Sequence, residues 1–192
     1  MKTKLTPLLL AASLGLTGAT AILVSGCAGD KYSRSTGEYI DDKTVISRVN
    51  SALHDNAEYK FESVQVASFK GNVQLSGFVD SEAQKYNAAK IAKTVQGVRD
   101  VENDITVGNS TSTTTGQYID DKSLTHRVNN ALGDNQEYKF NEVNVTCQQG
   151  TAQLSGFVNT KDQKSQAGDI AKNVPGVKDV VNNISVKDSL NQ

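Results

Sequence analysis

The sequence predicts an α+β protein built from two similar modules, each with the element order helix-strand-strand-helix-strand. Three observations predict this fold: an internal repeat at a constant offset, hydrophobic spacing that alternates between helical and strand periods, and capping or turn residues at each change. Because two amphipathic helices must bury their apolar stripes, we expect a three-stranded mixed sheet covered on one face by two helices in each module.

The repeat defines the domain organisation. Residues 36–107 match residues 115–186 without a gap at an offset of 79, and 41 of the 72 aligned positions are identical. Self-similarity of this kind is typical of duplicated supersecondary units. We therefore predict module 1 at 36–107, a polar linker at 108–114, module 2 at 115–186 and a tail at 187–192.

Helices are predicted at two places in each module. The first is expected to begin at Asp41, whose side chain can cap it, and to present apolar residues every three or four positions. The second is expected to begin after Ser81, because Gln84 follows three residues later in a capping-box pattern. The equivalent residues of module 2 are Asp120, Thr160 and Gln163.

Strands are predicted where apolar residues alternate with polar ones. Val64 and Val66 belong to the first strand, a turn follows at Lys70-Gly71, and a second strand begins after it. The third strand is expected to be continuous in both modules, over 101–107 and 180–186. Since the second helix connects the second and third strands, these two should run parallel.

The N-terminal stretch is predicted to be a signal peptide over residues 1–26. Two lysines precede an apolar run that ends in small residues, which is typical of secretory signals. The segment Leu23-Val24-Ser25-Gly26-Cys27 resembles the bacterial lipobox, which implies cleavage after Gly26, acylation of Cys27 and a tether at 27–35. An uncleaved transmembrane anchor is the alternative, because about 20 apolar residues can span a bilayer. By the same resemblance, Ala28 after the cysteine implies an outer-membrane lipoprotein facing the periplasm.

Charge argues against nucleic acid as a partner. Loss of Lys2 and Lys4 with the signal peptide leaves 18 basic residues against 21 acidic ones, a net charge of −3. Nucleic-acid binding depends on neutralising phosphates with an excess of cations, which this composition does not supply.

Residues of both modules resemble the BON domain. In module 1 the segment Val73-Gln74-Leu75-Ser76-Gly77-Phe78-Val79 carries the resemblance, followed by Gly97-Val98 and the last strand, and module 2 repeats the pattern. Tandem BON proteins include osmotically inducible periplasmic proteins and dual-BON outer-membrane lipoproteins. The resemblance implies a role in envelope integrity under osmotic or other stress. In the lipoprotein branch it implies binding of anionic phospholipid through the first helix of module 2.

Two sets of residues are candidates for binding. By this resemblance, the polar side of the first helix of module 2 would present Lys122, His126, Arg127 and Asn130 to lipid headgroups, with Lys139 nearby. A simply solvated helix face is the alternative. Phe78 and Phe157 are predicted to point to the sheet face that the helices leave open, towards the sister module or an unfolded client polypeptide. Tyr59 and Tyr138 lie in a repeated Glu-Tyr-Lys-Phe loop, which either offers an aromatic to a partner or simply packs.

No catalytic, metal or cofactor site is predicted. The histidines, His54 and His126, occupy non-equivalent positions of the repeat and show no metal-ligand spacing. Cys147 shares the parity of core valines, so a small buried residue is expected there, with an intermolecular disulfide as the alternative. We therefore expect a non-enzymatic envelope-binding protein, with a periplasmic chaperone-like role through open sheet faces as the alternative.

Overall fold

A computed structural model describes residues 36–108 and 115–187. Module 1 consists of α1 (Thr36–His54), β1 (Val64–Phe69), β2 (Asn72–Val79), α2 (Glu82–Lys93) and β3 (Asp100–Val107). Module 2 consists of α3 (Thr115–Gly133), β4 (Val143–Gln148), β5 (Thr151–Val158), α4 (Lys161–Lys172), β6 (Asp179–Asn182) and β7 (Ser185–Val186). The predicted signal peptide, the lipobox with Cys27, the tether, most of the linker and most of the tail lie outside the described residues.

Both sheets are mixed, as predicted. In module 1 the central strand β2 pairs antiparallel with β1 and parallel with β3. In module 2 the central strand β5 pairs antiparallel with β4 and parallel with β6 and β7. The parallel pairs follow from the crossover made by α2 and α4, so the predicted fold class is confirmed.

Each module has its own hydrophobic core between its two helices and one face of its sheet. In module 1, Val49 of α1 and Leu75 of β2 have no exposed surface, and neither do Ala88 and Ala92 of α2. Because alanine is so small, α2 lies close to the strands. The equivalent core residues of module 2 are Val128, Leu154, Ala167 and Ala171.

The predicted start of the first helix in each module is wrong. Asp41 and Asp120 do not cap α1 and α3, because the helices begin five residues earlier and both aspartates are exposed within the second turn. In α1 the Lys43 ammonium lies 5.4 Å from the ring centroid of Tyr39. A contact between residues four apart stabilises a helical turn, which favours the longer helix.

The next aspartate, Asp42, connects α1 to the β1–β2 turn. Its carboxylate is buried and accepts hydrogen bonds from the Ser68 hydroxyl at 2.7 Å and from the N–H groups of Lys70 and Gly71 at 3.0 Å. Lys70 has a φ of 52°, a left-handed conformation that costs a non-glycine residue about 1–2 kcal/mol. The carboxylate offsets this cost by satisfying the N–H groups of the turn. In module 2, Asp121 accepts from the N–H groups of Gln149 and Gly150.

The last strand of module 2 is interrupted, where the sequence predicts a continuous one. β6 ends at Asn182 and β7 begins at Ser185, although the pairing register with β5 is the same on both sides of the gap. Within the gap the Asn183 carbonyl accepts a hydrogen bond from the Gln74 side chain of module 1 at 2.5 Å. In module 1 the carbonyl of the equivalent residue, Asp104, accepts the corresponding hydrogen bond from Gln153 at 2.7 Å, yet β3 is continuous, so this bond does not by itself account for the gap.

Candidate functional site

The polar side of α3 faces solvent. Lys122, His126, Arg127 and Asn130 are all exposed, while the opposite side of the helix contributes to the core. The helical period therefore brings these four residues onto one face. Arg127 also has a structural bond, because its guanidinium Nη1 donates to the Pro175 carbonyl at 2.6 Å. This face carries two permanent cations, Lys122 and Arg127, in a chain whose acidic residues outnumber its basic ones.

Lys139 lies in the loop between α3 and β4 and is exposed. Together with Tyr138 and Phe140 it lines a groove of about 220 Å³ that also includes Asn129 near the end of α3. Module 1 has an equivalent groove of about 300 Å³, whose lining includes Tyr59. The repeated Tyr-Lys-Phe segment thus forms a shallow polar and aromatic groove in both modules.

Tyr59 and Tyr138 are half-buried against their cores and held by their loops. The Asn56 side-chain oxygen accepts the N–H groups of Glu58 at 3.1 Å and of Tyr59 at 2.7 Å, and Asn135 does the same in module 2. A hydrogen bond to the Glu58 carboxylate and burial raise the pKa of Tyr59. These loops are therefore packed against the cores, and both tyrosines are only partly exposed.

Phe78 and Phe157 lie between the two modules. Phe157 is 4% exposed, and its ring centroid is 5.8 Å from that of Phe69 in module 1, with Ala67 in the same cluster. Phe78 is also buried, at 7% exposure. The sheet faces that the helices leave open therefore cover each other. We call this contact between β1–β3 and β4–β7 the module interface.

Two glutamines form reciprocal hydrogen bonds across the module interface. The Gln153 side-chain oxygen accepts the N–H of Gly77 at 2.5 Å, and the Gln74 side-chain oxygen accepts the N–H of Gly156 at 2.6 Å. The Gln153 amide nitrogen donates to the Asp104 carbonyl at 2.7 Å, and that of Gln74 donates to the Asn183 carbonyl at 2.5 Å. Within module 1, the Gln74 amide nitrogen also donates to the Asp104 carboxylate at 2.6 Å. Because both glutamines are 1% exposed, water cannot readily replace these bonds.

Glycine is required at the two positions that the glutamines reach. Gly77 and Gly156 have φ angles of 108° and 105°, and a Cβ at either would clash with a backbone carbonyl of the preceding loop. The smallest residue therefore lets the strand bend here while its N–H bonds to the opposite module.

Further contacts close the centre and one end of the module interface. The hydroxyls of Ser76 and Ser155 are 2.7 Å apart, so the same residue of the repeat meets its own copy. At one end the Lys187 ammonium lies 2.8 Å from the Glu142 carboxylate and 5.1 Å from the centroid of the Phe69 ring. The interface thus combines a polar centre with an aromatic and ionic end.

Sequence reasoning missed the glutamines. Gln74 and Ser76 are identical in both copies and lie at strand positions that alternate with the core residue Leu75. Polar residues kept at outward positions in both modules are the signal that could have identified them.

Cys147 is buried in the module 2 core, at 8% exposure. Burial raises the pKa of its thiol, and a hydrogen bond with the Thr125 hydroxyl opposes part of that rise. In module 1 the same position holds Ser68, which bonds to Asp42. Within residues 36–108 and 115–187, no three His, Cys, Asp or Glu side chains are grouped so that they could hold a metal ion.

The fold and the interface define a protein made of two docked α+β modules of one type. Both modules match the BON domain, over residues 41–109 and 120–188. The chain therefore belongs to the BON family.

Relatives with known names match most of the chain. It is 34% identical to the Escherichia coli osmotically-inducible protein Y, over 83% of this chain and 81% of that protein. It is 35% identical to the outer membrane lipoprotein DolP of Haemophilus influenzae, over 91% of both chains. A 21 kDa hemolysin of Actinobacillus pleuropneumoniae is 30% identical, over 77% of this chain and 75% of that protein.

Proposed function

We propose that this protein is a non-enzymatic, lipid-anchored envelope protein that binds anionic phospholipid through α3 and supports outer-membrane integrity under osmotic or other stress. The observation that carries the proposal is the exposed polar face of α3, with Lys122, His126, Arg127 and Asn130 side by side. Lys139 extends the set beyond the end of the helix. Cations near a membrane surface gain about 1 kcal/mol each from anionic lipid.

Similarity to the named relatives supports an envelope location. One of them is an outer membrane lipoprotein and another is osmotically inducible, and both match more than four fifths of this chain. In the described part of the chain, none of the helices combines the length and the apolar character needed to cross a bilayer. Acylation of Cys27 would provide the attachment, and α3 would add a lipid-selective contact.

The burial of Phe78 and Phe157 favours this role over client binding. A chaperone-like function through the sheet faces would require the modules to separate and the buried hydrogen bonds of Gln74 and Gln153 to break. The α3 face needs no such rearrangement.

The proposal is tested by vesicle flotation of the chain from Ala28 onward, which contains both modules but cannot carry the acyl anchor. Vesicles of phosphatidylcholine alone are compared with vesicles that also contain phosphatidylglycerol. We expect binding that requires phosphatidylglycerol and falls with salt. Lys122→Glu and Lys139→Glu remove two cations and add two anions, so they should weaken binding by at least about 2 kcal/mol, or roughly thirtyfold.

The repeat supplies a matched control. Lys43→Glu and Lys60→Glu make the same change of net charge at the equivalent positions of module 1. If α3 is the lipid-binding face, this control retains most of the binding. Equal loss in both double variants would show general electrostatic attraction and would contradict a site on α3.

A further inference from the structure

A cleft in module 1 collects three cations around two glycines. It has a volume of about 370 Å³ and lies between α1, the β1–β2 turn and the loop before β3. Arg48, Lys70 and Arg99 line it, and Gly71 and Gly97 form part of its wall. Its size is within the range of small-molecule sites, about 300–1,000 Å³. We call it the module 1 cleft.

The two carboxylates of the cleft offset only two of its three positive charges. Asp42 lines the cleft, but its oxygens already accept three hydrogen bonds from Ser68 and the β1–β2 turn. Asp41 is the other acidic residue of the lining and is exposed. Within the described ranges, no ion pair joins Arg48 or Arg99 to a carboxylate. The lining therefore has a net charge of +1, and its buried carboxylate is already hydrogen-bonded to Ser68 and the turn.

The donors suit an oxyanion. One N–H of Arg48 donates to the Gln96 carbonyl at 3.3 Å, which fixes the guanidinium at the cleft and leaves its other donors available. Two guanidinium groups supply more N–H donors than a carboxylate with two oxygens can accept. Lys70 adds a third cation to the lining, and its ammonium also lies 5.6 Å from the centroid of the Phe69 ring. A phosphate group has more oxygens and matches the planar fork of arginine.

The equivalent region of module 2 lacks two of these donor groups. Gln149 replaces Lys70 and Lys178 replaces Arg99, so one charge and one guanidinium are lost. Arg127 also lies closer to its glycine turn: a Cβ on Gly176 would be 3.3 Å from its guanidinium, whereas one on Gly97 would be 4.0 Å from that of Arg48. At Gly97 the nearest atom is instead a methyl carbon of Val45 at 2.8 Å, so the clearest differences between the modules here are the residues at positions 70 and 99.

We propose that the module 1 cleft binds the phosphate group of an anionic ligand through Arg48, Lys70 and Arg99. This site lies in the other module from the α3 face and is independent of the function proposed above. The ligand is either a phospholipid headgroup or a soluble phosphate compound, because both present the same group to the cleft.

The test is a titration of the two-module chain from Ala28 onward with inorganic phosphate, followed by amide NMR. We expect saturable shifts of the Gly71 and Gly97 signals, with little change at Gly150 and Gly176 of module 2. Parallel shifts at all four glycines would show general ionic screening and would overturn the proposal. So would the absence of any shift at Gly71 and Gly97.

Single substitutions test which side chains of the module 1 cleft bind the phosphate. Arg99→Gln should weaken phosphate binding about tenfold or more, because a hydrogen bond to a charged group is lost. Lys70→Gln introduces the residue that module 2 carries there, so it should fold normally and also weaken binding. Asp41→Asn removes a negative charge from the lining and should strengthen binding severalfold. The matched control, Lys178→Gln, should have no effect, and equal losses with it and Arg99→Gln would refute the site.

Flotation with phosphatidylglycerol vesicles then distinguishes the two sources of phosphate. If Arg99→Gln lowers flotation as well as phosphate binding, the ligand is a lipid headgroup. If it lowers phosphate binding alone, the ligand is soluble. Because Lys122→Glu and Lys139→Glu leave the cleft unchanged, they should not alter the shifts of Gly71 and Gly97, so this proposal and the α3 proposal can fail separately.

Discussion

Replacing Gln153 with alanine removes a side chain that makes three hydrogen bonds to module 1. Its oxygen accepts the Gly77 N–H at 2.5 Å, and its nitrogen donates to the Asp104 carbonyl at 2.7 Å and the Thr106 hydroxyl at 3.2 Å. The Gly77 N–H is left buried without a partner, which costs about 1–3 kcal/mol. The Asp104 carbonyl is only partly buried and can reach water, so it adds about 1 kcal/mol. We expect a total loss of about 2–4 kcal/mol.

Urea unfolding followed by far-UV circular dichroism measures this loss. Gln65→Ala is the matched control, because Gln65 lies on the neighbouring strand β1 and is exposed. It should change the free energy of unfolding by less than about 0.5 kcal/mol. Since Gln74 and Gln153 both bond to Asp104, the double variant should cost less than the sum of the single ones. A Gln153→Ala cost no larger than that of the control would refute the reasoning.

Other substitutions test single contacts of the fold. Asp42→Ala should lower the free energy of unfolding by about 2–3 kcal/mol, because it removes the hydrogen bonds to the β1–β2 turn. Asp41→Ala should change it by less than about 0.5 kcal/mol. Similar values for both would contradict the role of Asp42 in holding the turn. Gly77→Ala should lower the free energy of unfolding by about 3 kcal/mol or more, because the added Cβ would clash with a backbone carbonyl. At Gly133 an added Cβ would meet nothing within 4 Å, so Gly133→Ala should stabilise α3 by up to about 1 kcal/mol in thermal unfolding. Because burial raises the pKa of Cys147, thiol labelling near pH 8 should be much slower in the native protein than in denaturant, and equal rates would show that the thiol is accessible.

Sequence patterns correctly predicted the element boundaries that depend on residues close together in the chain. The α2 start is correct because the Ser81 hydroxyl does accept the Gln84 N–H, at 3.2 Å, and both residues are near each other in sequence. The predicted α1 start is wrong because aspartate is a common capping residue, so Asp41 matches the pattern of a helix start although the helix begins at Thr36. Asp42 bonds to residues 26 to 29 positions away, which periodicity cannot reveal.

The candidate sites were predictable to different degrees. The exposed face of α3 follows directly from helical spacing, so Lys122, His126, Arg127 and Asn130 could be placed together from sequence. The module interface could not be built in the same way, because Gln74 and Gln153 acquire their partners only when two sheets meet. The gap between β6 and β7 was not predicted either, because the alternating pattern of residues 180–186 shows no break and both strands keep the same register with β5.

The reciprocal bonds of Gln74 and Gln153 to glycines of the opposite module constrain how the two copies can diverge. On the second helices drift is evident, since Glu82 and Lys90 correspond to Lys161 and Asp169 with reversed charge. Along β2 and β5 the letters QLSGFV are unchanged in both copies: the glutamine, serine and phenylalanine face the other module, while the leucine and valine belong to the core of their own module. An arrangement in which like meets like is that of a symmetric homodimer. The two modules therefore meet as two copies of one subunit would, although they belong to a single polypeptide.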